Sequence, residues 1–369
     1  MRTSMSEHTE TQQPAMNESN IHPRLRFLCY GVGAIGTYIG GSLALSGQDV
    51  VFIERPGPAQ EVLQRGLRLR IGEEERSFAN PQIVTDLDEA MRRGPYDAII
   101  LAVKSFDTQG VIDRLMPYRA SIPSFLSLQN GVENEALLSA AFGADKVIAA
   151  SVLSAVGRRA TGDILLERLR GIGIYGGHSL SRRLETACNQ AGLKAKLYAS
   201  AESMKWSKMI TNLMSNATSA ILDMTPAEVF ADPALFQLEL AQLRECLDVM
   251  KAQGIGVVNL PGTPVQALAW AVRSLPPALS QPFIQRAVGS GRGGKMPSFH
   301  IDLHAGRGTS EVDYLNGAVV RFGARYGIST PVNRALTETL LALTRGELKI
   351  SDFSHQPKRL LDRVRMDRT

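Results

Sequence analysis

Short apolar runs alternate with helical patterns through the first half of the chain. Leu25 to Tyr30 is an apolar run that stops at Gly31-Val32-Gly33-Ala34-Ile35-Gly36, and Thr37 to Leu45 continues with helical spacing. Asp49 to Ile53 is a second apolar run that ends at Glu54-Arg55, so strand, glycine turn, helix and strand form one unit of about thirty residues. Further strands are predicted at Ala98 to Val103, Phe125 to Leu128 and Val147 to Val152, at intervals suited to a parallel sheet. From Gly162 to about Ser200 the pattern shifts to short period-2 segments, Asp163 to Glu167 and Gly173 to Tyr175. A helix near Leu184 to Gln190 and a last strand, Lys194 to Tyr198, follow, and the stretch reads as the finishing edge of the same domain.

Beyond Glu202 the apolar spacing is helical. Met204, Trp206, Met209, Ile210, Leu213 and Met214 recur at three and four residue intervals, and Leu235 to Gln253 is a second long amphipathic stretch. The expected fold class is therefore α/β: an N-terminal, doubly wound parallel sheet followed by an all-helical C-terminal domain. The expected divisions are a disordered leader over 1–24, the sheet domain over 25–200, the helical domain over 201–350 and a basic C-terminal tail over 351–369, read as a solvated terminal helix or a loose end.

Composition narrows the function classes. With 369 residues, 44% hydrophobic and 21% charged, the chain is long enough for two domains and too apolar to be disordered. The net charge of +5 is small for this length and forms no basic stripe, which argues against a nucleic-acid partner. No run approaches the ~18 apolar residues of a membrane span, and the first residues lack the apolar core of a signal peptide. Cys29, Cys188 and Cys246 are odd in number and widely spaced, so they are read as buried thiols in a reducing cytoplasm, and no metal site is read.

The glycine turn carries the most specific chemistry. Gly31 permits a tight turn, Gly33 lets backbone approach a pyrophosphate, and Gly36 lets the helix pack on the strand, while the helix N-terminus faces the phosphates. An acidic residue, Glu54, stands 23 positions after Gly31, which completes a dinucleotide-binding fingerprint. Glu54 would hydrogen-bond the ribose hydroxyls of NAD, whereas the Arg55 guanidinium would pair with the 2′-phosphate of NADP. The reading leans to NADP(H), with NAD as the alternative. Lys104 and Asn130 fall at carboxyl ends of predicted strands, where an open parallel sheet holds its ligands. Lys208, Asn212 and Asn216 stand at i, i+4 and i+8 on one predicted helix, so an ammonium and two amides would line one face. Glu311 sits at the entry to a further helix, where capping alone would account for it.

Together these residues resemble the ketopantoate reductase family. The likeness runs from about Arg26 to Gly346 and rests on Gly31-Val32-Gly33-Ala34-Ile35-Gly36, Val103-Lys104, Gln129-Asn130-Gly131, Trp206-Ser207-Lys208 with Asn212, and Glu311-Val312-Asp313-Tyr314-Leu315-Asn316-Gly317. The resemblance implies an N-terminal Rossmann-type domain that binds NADP, a helical C-terminal domain like that of 6-phosphogluconate dehydrogenase and an interdomain cleft for NADPH and a 2-oxo acid, with 2-dehydropantoate as the first candidate. It implies Lys208 as catalytic lysine with Glu311, and Asn130, Asn212, Asn216 and Ser298 on the substrate. Gly31 to Gly36, Arg55, Lys104 and Asn130 would hold the cofactor. A homodimer is compatible with this reading.

Hydride attack on a ketone builds negative charge on oxygen, and a nearby ammonium both stabilises and protonates it. Two competing readings are a paralogue acting on another 2-oxo acid and a nucleotide-binding sensor without turnover. The family's Asn-Pro-Leu-Thr is here Asn216-Ala217-Thr218-Ser219, and the 259–297 stretch is longer than the family norm. That stretch could form a mobile lid, and its Arg292 and Lys295 read first as cations of a solvated loop, with recognition of a more acidic substrate as the second reading.

Overall fold

The computed structural model describes residues 24–292 and 296–366. Its twelve strands are β1 (Arg26–Tyr30), β2 (Asp49–Ile53), β3 (Leu67–Ile71), β4 (Glu74–Phe78), β5 (Gln82–Val84), β6 (Ala98–Leu101), β7 (Ser124–Ser127), β8 (Val147–Val152), β9 (Ala155–Ala160), β10 (Asp163–Arg168), β11 (Ile172–Tyr175) and β12 (Ala195–Tyr198). Eight of them form one sheet in the order β12-β11-β8-β7-β6-β1-β2-β5. Pairing is parallel throughout except between β8 and β11.

The unbroken apolar runs follow from burial on both faces of this sheet. Phe27, Cys29, Val50, Phe52, Ile100 and Leu126 pack to one side, while Leu28, Tyr30, Val51, Ile53, Ile99 and Phe125 pack to the other. On the first side lies the helix Ala34–Leu45, which is buried continuously from Gly36 to Ala44. It is covered twice, by the main sheet and by a second sheet in the order β4-β3-β10-β9. The 163–167 segment is a strand as expected, but β10 lies in this second sheet, and β11 and β12 finish the edge of the main one. All three cysteines are buried free thiols. Burial pushes the Cys188 thiol up to about 12 and raises Cys29 and Cys246 as well, so none is a thiolate near neutral pH.

From Ala201 onward the chain is helical and surrounds Pro233–Ala252. Asp232 caps that helix by accepting from the Ala234 and Leu235 amides, with proline at its first turn. Its polar residues face inward: Glu245 accepts from the Val332 and Asn333 amides, capping the helix Pro331–Thr344 from outside it. Gln242, Asn316 and Asn333 are fully buried and hydrogen-bonded to one another.

One segment differs from expectation, and the C-terminal tail takes one of the two forms expected of it, a terminal helix. The 259–297 stretch is built largely of the helices Val265–Ser274 and Pro277–Arg292, packed on the helical core through Val265, Val272 and Ile284. Lys295 and the Arg292 side chain, read as loop cations, lie outside the described residues. The basic tail carries the helix Pro357–Met366, whose Leu360 and Val364 insert into the helical core while its cations face out. That spacing of apolar residues is what binds it there. The leader falls outside the described residues, apart from Arg24. Among the described residues no helix is long and apolar enough to cross a membrane.

Candidate active site

The glycine turn joins β1 to the Ala34–Leu45 helix at the carboxyl edge of the sheet. Gly36 is obligatory, since a Cβ there would lie 1.9 Å from the Gly31 carbonyl oxygen. Around Gly33 a Cβ would meet nothing within 4 Å, so the turn opens to solvent. The helix has no side-chain cap and no acid in its first turn, which leaves its N-terminal amides directed at that space. Glu54, at the end of β2, is tied to the turn: one oxygen accepts from the Val32 amide at 2.9 Å and the other from the Arg55 amide. The Arg55 side chain is 84% exposed and pairs only distantly with Glu54, at 3.6 Å.

A second cluster crosses between the domains. Lys104, after β6, reaches Glu311 at 2.6 Å and Asp302 at 3.3 Å, and Asp302 is also held by Arg307 at 2.7 Å. Glu311 lies in the short turn Glu311–Tyr314 and is 3% exposed, and its second oxygen accepts from the Ser105 hydroxyl and amide. Burial penalises the Lys104 ammonium, but the Glu311 and Asp302 carboxylates more than offset it, and its pKa rises above the ordinary 10.5. A lysine raised in the fold contributes stability below its unfolded pKa and loses that contribution as pH climbs through the folded value. The urea midpoint of the Lys104→Met variant should therefore run parallel to wild type over about pH 6 to 9 and converge on it only above about pH 10.5. Convergence already between pH 7 and 9 would contradict the charged pair.

The third cluster lies where the Ala201–Leu213 helix meets the turn after β7. Lys205, Lys208 and Asn212 fall on one face at i, i+3 and i+7. Lys205 is 5% exposed, and its ammonium donates to the Gln129 carbonyl at 2.6 Å and lies 2.7 Å from Glu135. Asn212 donates to the Asn130 side chain at 3.2 Å. The Asn130 carbonyl is fixed in turn by Asn134 and Ser105. At Gly131, φ is +88° and a Cβ would meet the Tyr314 carbonyl at 2.9 Å, so this turn lies against the Glu311–Tyr314 segment. Arg321 adds a further bridge between the domains, to Glu133 at 2.5 Å. Lys208 is half-buried one helical turn before Asn212.

The expected stripe of Lys208, Asn212 and Asn216 on one helix needs correction. The helix ends at Leu213, Ser215 takes a left-handed φ of 52°, and Asn216 opens a separate helix, Asn216–Leu222. The break is held by Glu239, which is fully buried in the central helix and accepts from the Ser215 amide and the Thr218 hydroxyl, and by Gln242, which donates to the Leu213 carbonyl. Asn216 is 4% exposed and accepts from the Phe299 amide, so its oxygen anchors the helix Ser298–His304. Ser298 begins that helix and is exposed. The structure thus joins Lys104 to Glu311 and Asn130 to Asn212, and turns Asn216 toward backbone. Lys205, Ser105, Arg307 and Glu135 are site-building residues absent from the sequence reading. For Lys205 the helical spacing to Lys208 was the available signal.

Residues 27–176 match the family model described as ketopantoate reductase PanE/ApbA, and residues 200–344 match that of its C-terminal domain. The 2-dehydropantoate 2-reductase of Archaeoglobus fulgidus is 28% identical over 322 residues, which cover 86% of this chain and 95% of that protein. The 2-dehydropantoate 2-reductase of Halobacterium salinarum is 26% identical over 325 residues, covering 85% and 97%. Among solved structures, a PanE/ApbA family ketopantoate reductase from Ralstonia eutropha superposes with a TM-score of 0.73 at 26% identity, covering 87% of this chain and 99% of that one. D-mandelate dehydrogenase with NADH and anilino(oxo)acetate shares the fold, with a TM-score of 0.71 at 21% identity over 87% and 98% of the chains.

Proposed function

Because the chain belongs to the ketopantoate reductase family, we propose that it reduces a 2-oxo acid, 2-dehydropantoate first among the candidates, with NADPH as hydride donor and Lys208 as general acid. The observation that carries this reading is the Asn130–Asn212 contact. It brings the turn after β7, at the carboxyl edge of the nucleotide-binding sheet, against the helix that presents Lys208 one turn earlier. Hydride delivery and proton delivery come from different domains in such an arrangement, and here the two domains meet at that point.

The turn around Gly33 fits a pyrophosphate: it is open, its helix N-terminus is uncapped, and the nearest carboxylate, Glu54, is already bound to backbone amides. Gly31, Val32, Gly33, Ala34, Ile35 and Gly36 would line the phosphates, with Arg55 on a 2′-phosphate. When bound, the dinucleotide supplies the hydride. Lys208 would hold its ammonium at the substrate's keto oxygen, donate a proton as that oxygen becomes an alkoxide, and recover one from solvent. Asn130 and Asn212 would orient the substrate, and Ser298, exposed at the start of its helix, would bind its carboxylate. Lys104, which the sequence reading assigns to the cofactor, would act through Glu311 by holding the two domains in register. Asn216 would position the Ser298–His304 helix.

Steady-state oxidation of NADPH, and of NADH in parallel, with 2-dehydropantoate as acceptor tests the reading. A kcat/KM of about 10⁴ M⁻¹s⁻¹ or more with NADPH is the expected result. Turnover on a different 2-oxo acid would transfer the activity to a paralogue, and tight cofactor binding without turnover on any would overturn the enzyme. Arg55→Ala should weaken NADPH by roughly tenfold to a hundredfold, the value of a lost charge-assisted hydrogen bond, and leave NADH nearly unchanged. Equal losses for the two cofactors in a binding titration would remove the 2′-phosphate role.

A further inference from the structure

Asp223, His300 and His304 form a cluster that the proposed reaction does not use. His300 and His304 lie one turn apart on the helix Ser298–His304, their rings stacked with centroids 4.0 Å apart. Both Nε2 atoms face Asp223, at 2.7 Å and 3.8 Å from its Oδ1. The three side chains place their donor atoms within 4.8 Å of one another. Asp223 follows the helix Asn216–Leu222 in a left-handed conformation with φ of 52°, unusual for a residue other than glycine, and its other oxygen accepts from Ser354 at 3.4 Å. The carboxylate is thus aimed at the two imidazoles and held from behind.

We infer that Asp223, His300 and His304 form a binding site for a divalent transition-metal ion of the zinc class. Two imidazoles and one carboxylate are a nitrogen and oxygen donor set that suits Zn²⁺, Co²⁺ or Ni²⁺ over Mg²⁺ or Ca²⁺. Four-coordinate zinc with bonds of about 2.0–2.1 Å needs donors about 3.3 Å apart, between the two distances found here. The adjustment falls on His304, whose side chain is 36% exposed and can move. Solvent supplies the fourth position on the open side. On binding, the ion takes the place of the hydrogen bond between His300 and Asp223, with His300 in the neutral tautomer that carries its proton on Nδ1 and offers Nε2 to the metal.

The ion would link two elements that shape the cleft. The helix Ser298–His304 carries Asp302, a partner of Lys104, and its Phe299 amide is bound by Asn216 at the start of the helix that Asp223 ends. Metal at Asp223 would therefore turn the hydrogen bond that already joins the same two helices into a coordinated link that includes His304. The three thiols are buried and protonated, so they do not compete for it.

The test uses untagged, chelator-treated, full-length protein titrated with Zn²⁺ by calorimetry and with Co²⁺ by visible absorption, alongside His304→Ala and His300→Ala. Wild type should bind one ion per chain, with Co²⁺ bands of nitrogen and oxygen ligation and no thiolate charge transfer, and its Tm should rise with metal. In both variants saturable binding and the metal-induced rise in Tm should disappear. His304→Ala, at an exposed position, should keep the metal-free Tm. Absence of binding in wild type, saturation only at millimolar metal, or unchanged stoichiometry in His304→Ala would overturn the site. The last outcome would assign the ion to the other histidines, His8, His22, His178 and His355.

Discussion

Replacing Lys208 with alanine is expected to lower kcat by about 10²- to 10⁴-fold while leaving NADPH affinity unchanged. Lys208 is half-buried on the helix that Lys205 ties to the Gln129 carbonyl and Asn212 to the Asn130 side chain, and both of those ties remain when its ammonium is removed. Alanine is the best helix former, and the Ala201–Leu213 helix should persist. Lys208→Arg separates the two roles of the group. A guanidinium keeps the positive charge but does not give up a proton near neutral pH, so substrate KM should recover more than kcat. Single-turnover kinetics with fluorescence titration of NADPH would measure both. A kcat within a few-fold of wild type in Lys208→Ala would remove the lysine from the chemistry, and a parallel loss of NADPH binding would recast it as structural.

What could be read in the chain follows from the range of the forces involved. The strand, glycine turn and helix around Gly31 to Gly36 were legible because local sterics and two-sided burial determine them. The apolar runs at β1, β2, β6, β7 and β8 carry the same signal. The small second sheet was not. Its strands alternate leucine with arginine in β3, and β4 carries three charges and is exposed up to Phe78, so their pairing depends on the helix they cover.

At the site, Lys104 and Asn130 are legible from their places at strand ends, Asn212 from its helical spacing to Lys208 and Glu311 from the family resemblance, and the structure pairs Lys104 with Glu311 and Asn130 with Asn212 across the domains. The helix break at Met214 and Ser215 was hidden, because its determinant, Glu239, is 24 residues away on another helix. Lys205 stands in the sequence as a polar residue between Met204 and Trp206, and only the fold shows that its stem is buried and that its ammonium has acceptors from the sheet domain. His300 and His304 show helical spacing in the sequence, but their third partner lies 77 residues earlier.

Lys205 is also where the largest loss of stability is expected. Its ammonium is almost wholly removed from water and meets Glu135, whose side chain is 18% exposed, together with the Gln129 and Ala150 carbonyls. Lys205→Met keeps most of the stem's packing but leaves Glu135 facing those carbonyls without a cation. Breaking one side of a buried pair costs about 3–5 kcal/mol, because the remaining charge stays desolvated. Glu135 also accepts from the Ser127 hydroxyl at the end of β7, so the variant should loosen the turn that carries Asn130. Adding Glu135→Gln to Lys205→Met removes the stranded charge, and the double variant should regain part of the loss, giving a coupling energy above about 0.5 kcal/mol. Urea unfolding of the four proteins measures this cycle. The turn itself is read through KM for the 2-oxo acid, which should rise in Lys205→Met more than kcat falls. Additive effects of the two substitutions would mean that Lys205 is held by the carbonyls alone, and an unchanged KM would separate the buried lysine from the placement of Asn130.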